Sequence, residues 1–357
     1  MTCHLRVISP GARSLVQDLG FRQARAQGVP AAGVLDRDSL FLVNALLGNP
    51  AGTEALELAM TSPILQAEYG SVRIATSGGL RGSILSPDGA ERVVPAWTAT
   101  TLNPGERLRL DAPERGASAL LGIGGGLDLA EIMGSRATLT RAALGGVGGR
   151  GLAEGDRLYP RRPCVTDVPD LTFHMAPPAD AGPLRVVPGP QDDRFTAAAW
   201  QTFTTAQFEI TPQSDRMGMR LQGPVLEHDP TQGPDIISDG AAPGAIQVPG
   251  NGQPIILLAD AQTTGGYTKI ATVIGADLPR LAARIPGDTL RFTVVSVAQA
   301  EAAARSRHAL LKQIAGSIGA ANPGGIDQTA LHSVNLISGV VDMRSADHFP
   351  GHLADRD

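Results

Sequence analysis

At 357 residues, with 42% hydrophobic content and a mean hydropathy near zero, the chain is long enough for two cores and carries no run near the roughly 18 apolar residues that span a bilayer. A net charge of −5 gives no long-range attraction for nucleic acid or anionic lipid. Two cysteines, Cys3 and Cys164, fall short of a disulfide framework or a zinc site and fit a reducing compartment; with no charged-then-apolar leader in residues 1–30, the expected location is the cytoplasm.

Forty-three glycines and 27 prolines against 4% aromatics predict many turns and many short strands. The first strand is read at residues 5–8, ending at Ser9-Pro10-Gly11. Asp36 is the N-cap of the clearest helix in the first half: Leu40, Leu42, Val43, Leu46 and Leu47 share one face, and Gly48-Asn49-Pro50 stops it. From Ala55 the pattern turns to short strands, at residues 55–58, 63–65, 71–75, 82–85, 92–94, 100–102, 107–110 and 119–123. Gly146-Val147-Gly148-Gly149-Arg150-Gly151 satisfies G-x-G-x-x-G, but a turn follows it where a dinucleotide fingerprint opens a helix. A phosphate loop of the G-x-x-x-x-G-K-[ST] kind is excluded before residue 269, because no lysine precedes Lys269.

A Pro- and Asp-rich connection over residues 161–183 is the expected linker. A helix is read at 196–204, a strand at 208–210, and an alanine-rich closing helix from Val297 to Ile314. Around the linker, passages echo each other in order: residues 5–8 and 184–187, 61–65 and 222–226, 104–110 and 286–292. That shared order suggests a duplicated β-rich unit. The expected division is 1–170, 184–298, a closing helix over 299–318, and a poorly ordered tail over 320–357. His348 and His352 in that tail have i, i+4 spacing, but Pro350 and Gly351 forbid the helix that would bring them together, so no metal site is expected.

Residues 259–278 read as strand, turn, strand, with Gln262-Thr263-Thr264-Gly265-Gly266 as the turn and Tyr267 and Lys269 at its exit. Only two lysines, Lys269 and Lys312, stand among 30 basic side chains. An ammonium is a compact charge with its own chemistry, so a lysine kept among arginines invites a functional reading. Codon bias explains the scarcity equally well.

Six stretches together carry a family pattern: residues 14–20; Gly28-Val29-Pro30 with Gly33 and Asp36; 44–50; Gly189-Pro190-Gln191-Asp192-Asp193-Arg194-Phe195; 214–221; and 262–271. On these the chain, over about residues 5–315, resembles the biotin-dependent carboxyltransferase family, which includes the C-type subunit of 5-oxoprolinase, KipA, the allophanate hydrolase subunit 2 type and part of urea carboxylase. The resemblance implies a mainly β fold of two tandem cyclophilin-like β-barrels with a few short helices. As activity it implies the C-type subunit of an ATP-dependent 5-oxoprolinase, hydrolysing 5-oxo-L-proline to L-glutamate only in complex. The alternatives are an allophanate hydrolase or urea carboxylase-type carboxyltransferase subunit, and a non-catalytic KipA-like module that binds a KipI-like kinase inhibitor. The implied partners are a KipI-like protein, which is the B-type subunit of 5-oxoprolinase, and the A-type subunit, with ATP used by the complex. The chain has no biotin-accepting Met-Lys-Met segment, so any carboxybiotin is brought by another protein. One departure stands out: where the family commonly has Arg after Asp-x-Gly, Phe21 precedes Arg22, so that arginine's role is shifted or lost.

Both lactam opening and carboxyl transfer to a ureido nitrogen develop negative charge on a carbonyl oxygen, which fixed donors stabilise. The expected catalytic residues are Lys269, Tyr267 and Asp239, with Asp239 or Asp260 as a general base and turn-capping as the commoner fate of such carboxylates. Substrate binding is expected of Gln247, Gln262, Thr263, Gly265 and Gly266. Arg216 and Arg220 suit a substrate carboxylate, or else form salt pairs with Asp215 or Asp229. Lys269 is expected to line a groove; if buried, it requires a carboxylate beside it.

Overall fold

The computed structural model describes residues 2–113, 118–162, 168–177 and 181–321. The expected tail beyond residue 321, with His348 and His352, and Cys164 in the linker lie outside the described residues. Among those described, three helices of α type occur: α1 (Arg37–Leu46), α2 (Ala197–Thr205) and α3 (Val297–Gly316). The rest is mainly β, and no described helix is long and apolar enough to cross a membrane.

The first half is built from two antiparallel sheets. One runs in the order Arg157–Leu158, His4–Ser9, Ile64–Glu68, Arg107–Leu110, Gly82–Leu85, Glu91–Val94. The other runs Arg13–Gln17, Ala55–Ala59, Ala119–Ile123, Val72–Thr76, Thr98–Leu102, Leu171–Phe173, Ile318–Ala320. Strand alternation sends Leu5, Leu65 and Leu108 of one sheet, and Leu56, Leu58 and Ile74 of the other, into a shared core. The alternate residues Ala55, Ala75 and Ala99 face outward instead and are covered by α1 and the end of α3. Local chemistry sets both helix starts. Asp36 accepts the Ser39 amide at 2.9 Å to open α1, and Ser296 and Gln299 form a reciprocal capping box at α3. Arg307 of α3 then pairs with Asp38 of α1 at 2.6 Å. Leu171–Phe173, inside the expected linker, is a strand that receives the segment after α3 as its neighbour.

The second half is one nine-stranded sheet in the order Thr289–Leu290, Phe208–Ile210, Gly218–Gln222, Ile255–Leu257, Ala245–Val248, Thr264–Val273, Leu184–Pro188, Phe292–Val294, with Asp235–Gly240 paired onto Thr264–Val273. The two strands at its ends are successive pieces of one stretch, broken only at Arg291, so the sheet curls round until its edges meet. Its interior holds Phe203 of α2 stacked on Phe292 at 4.6 Å, with Phe208, Ile246, Ile256 and Ile270.

Two of the three sequence echoes have structural counterparts. Residues 5–8 and 184–187 both lie in strands that open their halves. The turns at 104–110 and 286–292 also repeat a bonding pattern. Gly105 donates to Ala67, which donates to Glu106, just as Gly287 donates to Ile210, which donates to Asp288. The third echo fails: Ile64 and Leu65 are strand, whereas Val225 and Leu226 are loop. A second correction concerns residues 262–266. The strand starts at Thr264 and runs straight through Gly265 and Gly266, so this glycine pair does not make a turn.

Candidate functional site

Lys269 is buried from outside the barrel. Its neighbours Thr268 and Ile270 are fully buried, and Ile270 faces the interior, so alternation turns Lys269 to the outer surface. There it lies opposite Gln247 in register, and across the next strands come Ile255 and Arg220. Strand Asp235–Gly240 roofs the first half of Thr264–Val273, setting Asp239 opposite Gly265 and Asp235 opposite Tyr267. Extra residues between Asp235 and Asp239 bulge out of this pairing and leave Ile237 96% exposed. The expectation that Lys269 lines a groove is therefore corrected: only 2% of its side chain is exposed. The carboxylate that burial demands is present, Asp239 Oδ2 standing 3.1 Å from Lys269 Nζ.

The turn after Leu184–Pro188 clamps this pair. Gly189 N donates to the Ile270 carbonyl at 2.8 Å, and a Cβ on Gly189 would stand 2.1 Å from the Lys269 carbonyl oxygen, so only glycine permits the approach. Gln191 accepts the Lys269 amide at 3.2 Å through Oε1 and donates through Nε2 to Asp239 Oδ2 at 3.2 Å. The Lys269 ammonium, the Gly240 amide and the Gln191 amide together hold the Asp239 carboxyl below the usual carboxylate range. That makes Asp239 a fixed counter-charge and a weak base at neutral pH.

Gln247 supplies the observation that marks a site. Its side chain is buried, makes no hydrogen bond within the described residues, and leaves Nε2 without a partner. An amide left so costs about 1–3 kcal/mol, and native structures rarely tolerate that without a use. Gly265 faces it: a Cβ there would be 2.4 Å from Gln247 Nε2 and 3.5 Å from Gln262 Nε2. The space is taken by the Gln247 amide, with the Gln262 amide at ordinary contact distance, so the glycine answers to side-chain packing rather than to a turn. Tyr267 shares the face of Gly265 and Lys269 by alternation, at the exposed rim. Thr263 enters through its backbone, accepting the Ala241 amide at 2.9 Å, and Gly266 lies beneath the Ile236 carbonyl.

The two arginines go elsewhere. Arg216 is taken up by Asp260 through two bonds of 2.9 Å, by the Glu57 carboxylate and by the Gly33 carbonyl. Burial alone would lower its pKa, but the charges of Glu57 and Asp260 outweigh that and raise it. The expected pairing with Asp215 or Asp229 is not the one formed, and the bonds to Glu57, Asp260 and Gly33 occupy the edges of the guanidinium that a substrate carboxylate would need. Asp260, with both oxygens on Arg216, has no freedom to act as a base. Arg220 lies on the outer row of Gln247 and Lys269, beyond Ile255, and lines a separate hollow of about 480 Å³ with Thr211, Gln213, Asn251 and Gln253.

Sequence reasoning missed two residues. Gln191 stood in a quoted motif, but nothing local says that it reaches Asp239. Arg25 was hidden by the departure at Phe21, which is fully buried among Ala24, Ala32, Ala137 and Leu139, while Arg22 is exposed. Arg25, one turn further on, donates through Nη2 to the Ala241 carbonyl. Among the described residues no His, Cys, Asp and Glu group could hold a metal ion.

Comparison with known proteins places this geometry in context. Residues 27–294 match the model of the carboxyltransferase domain, subdomain A and B. The chain is 34% identical over 318 residues to the C-type subunit of the Escherichia coli 5-oxoprolinase, covering 87% of this chain and 97% of that protein. It is 32% identical over 304 residues to a putative urea carboxylase of Emericella nidulans, of which it covers 24%. Among solved structures it resembles TTHA0988, with a TM-score of 0.71 and 31% identity over 82% of this chain and 56% of that one. It also resembles the Kluyveromyces lactis urea carboxylase, with a TM-score of 0.77 and 28% identity over 88% of this chain and 29% of that one.

Proposed function

The chain belongs to the carboxyltransferase family defined by subdomains A and B, and from that premise we propose that it is the C-type subunit of an ATP-dependent 5-oxoprolinase, opening 5-oxo-L-proline to L-glutamate together with partner proteins. The observation that carries this reading is coverage. The chain accounts for 97% of its Escherichia coli 5-oxoprolinase relative, whereas it matches 24% of the urea carboxylase relative.

In this reading the site acts on the lactam carbonyl. As water adds to the lactam carbonyl, negative charge gathers on the oxygen, and the Lys269 ammonium with the Gln247 and Gln262 amides are the donors that meet it; the C–N bond then breaks as the tetrahedral species collapses. Asp239 and Gln191 orient the ammonium, and Tyr267 at the rim hands a proton to the leaving ring nitrogen. ATP is assigned to a partner protein. In the loop at residues 146–151 the Gly149 amide is spent on Gly145 at 2.7 Å and the Gly146 amide on Arg136 at 3.0 Å, which supports that assignment. Biotin, if the complex uses it, is carried by another chain. The partners in this reading are the KipI-like B-type and the A-type components of the enzyme, in the cytoplasm.

A urea- or allophanate-directed carboxyltransferase subunit is the second reading, favoured by the TM-score of 0.77 to the Kluyveromyces lactis urea carboxylase. The test is co-expression with both partner components, followed by assay of 5-oxoproline-dependent ATP hydrolysis and glutamate release. Turnover that is lost on Lys269→Ala is the expected result. Turnover on urea or allophanate alone selects the second reading. An intact complex inactive on all three overturns both and leaves a KipA-like binding module for a KipI-like inhibitor.

A further inference from the structure

One cation beside the site comes from the other half of the chain. The loop around residues 20–33 crosses to the second half, where Ala32 N donates to the Ala259 carbonyl at 2.8 Å and Arg25 Nη2 to the Ala241 carbonyl. Ala241 N is bonded to Thr263, Gly240 is paired with Thr264 and Asp239 with Gly265. The guanidinium therefore stands two residues from Asp239, about 7 Å along a strand, at the corner that also holds Gln262 and Thr263.

Arg25 differs from the arginines that are paired with carboxylates. Arg216 has Glu57 and Asp260, Arg185 and Arg280 share Asp277, and Arg161 has Glu54. Among the described residues Arg25 has no carboxylate partner, and its Nη1 is buried without a hydrogen bond. Burial lowers its pKa with nothing to offset it. A partly covered cation with one N–H group buried and unbonded gains from an anion that reaches it. Because Nη2 is already fixed on Ala241, the free edge of the guanidinium is held in place and loses little entropy on pairing.

We propose that Arg25 receives the carboxylate of the substrate, so that the site selects lactams or amides bearing a carboxylate over neutral ureas and unsubstituted lactams. The assignment rests on the 5-oxoprolinase reading. In 5-oxoproline the carboxylate lies on the opposite side of the ring nitrogen from the lactam carbonyl, so its receptor must be a group distinct from Lys269 and Gln247. A guanidinium edge forms the short, charge-assisted bonds a carboxylate accepts, and it offers nothing comparable to urea.

The experiment uses the assembled complex and compares 5-oxo-L-proline with 5-oxo-L-prolinamide, in which a neutral carboxamide replaces the carboxylate. With the unaltered chain, 5-oxoproline is favoured in kcat/KM. Arg25→Gln raises its KM by about 100-fold, the size of one lost charge-assisted contact, with kcat little changed and no loss on the prolinamide. Arg25→Lys, which keeps the charge, recovers part of the KM. Where prolinamide turnover lies below detection, the KM shift and its partial rescue decide alone. An unchanged KM overturns the assignment. So does an equal loss on both substrates with a fallen thermal midpoint, which marks Arg25 as a strap between the halves. A complex that never turns over 5-oxoproline sinks the functional reading instead, which separates the two failures.

Discussion

Two cations of the second half are buried to nearly the same depth, Lys269 with 2% of its side chain exposed and Arg216 with 6%, and they are built in opposite ways. Arg216 is saturated. Two carboxylates, both buried, and the Gly33 carbonyl take its N–H groups, and the cluster joins the strand Ala55–Ala59 to the second half. Among the described residues Lys269 has a single carboxylate, Asp239, 52% exposed, and beside it the Gln247 amide nitrogen without a partner. Burial of charge therefore does not mark a site. What distinguishes the two is whether the polar groups around the charge are all used.

The contrast breaks most visibly at Arg216. Arg216→Met leaves Glu57 and Asp260 buried and unpaired, and losing one partner of such a cluster costs about 3–5 kcal/mol. Chemical denaturation should record that loss in full. A change below about 1 kcal/mol would mean the cluster is not a lock. Lys269→Met should behave in reverse: the fold stays within about 1–2 kcal/mol, because Asp239 is free to turn to water, while turnover of the assembled complex falls about 100- to 1000-fold, as for a lost oxyanion donor. Stability that collapses while turnover per folded complex survives would put Lys269 in the same class as Arg216.

Gln191→Leu is the finer test. It removes the hydrogen bond that helps hold the Asp239 carboxyl low, and with it the aim of the ammonium, at an expected cost of about tenfold in kcat. The sign of the pH effect follows. A lowered carboxyl stays ionised as pH falls through the ordinary aspartate range, so any acid limb due to Asp239 lies below that range. The variant moves that limb upward. A pH profile that keeps its position while kcat drops would assign Gln191 to packing alone.

What was legible in the sequence was local. Asp36 opens α1 because a cap needs only the next three residues, and the strand at Ala55–Ala59 follows from composition and turns. The site residues were named, but not their arrangement. The cover over Lys269 comes from Asp235–Gly240 and from Gln191, 78 residues away, and Arg216 meets Glu57 across 159 residues. No periodicity records such pairings. Gly265-Gly266 shows the same limit: paired glycines signal a turn by propensity, and here the first is demanded by the amide of Gln247 in a neighbouring strand.

The smallest expected effect extends the comparison to a carboxylate with no cation. Burial lifts the Asp36 carboxyl to about 6, against the opposing pull of the Ser39 hydroxyl and amide, while Asp239, beside Lys269, moves the other way. At Asp36 the folded state therefore binds more proton than the unfolded one between about pH 4 and 6, so this group's contribution to stability falls as pH rises through that window and its cost is complete above it. Asp36→Asn keeps an oxygen for the Ser39 amide, which Asp36 accepts at 2.9 Å, and removes the charge. At pH 8 the thermal midpoint should rise by the equivalent of about 1 kcal/mol or less, because the helix N-terminus favours the lost negative charge by about 0.3–1 kcal/mol. At pH 4, where the aspartate is already protonated in the fold, the two chains should melt together. A variant that is less stable at pH 8 than at pH 4, relative to the unaltered chain, would mean that Asp36 is ionised at little cost and that a neighbouring cation is not needed to keep a covered carboxylate charged in this fold.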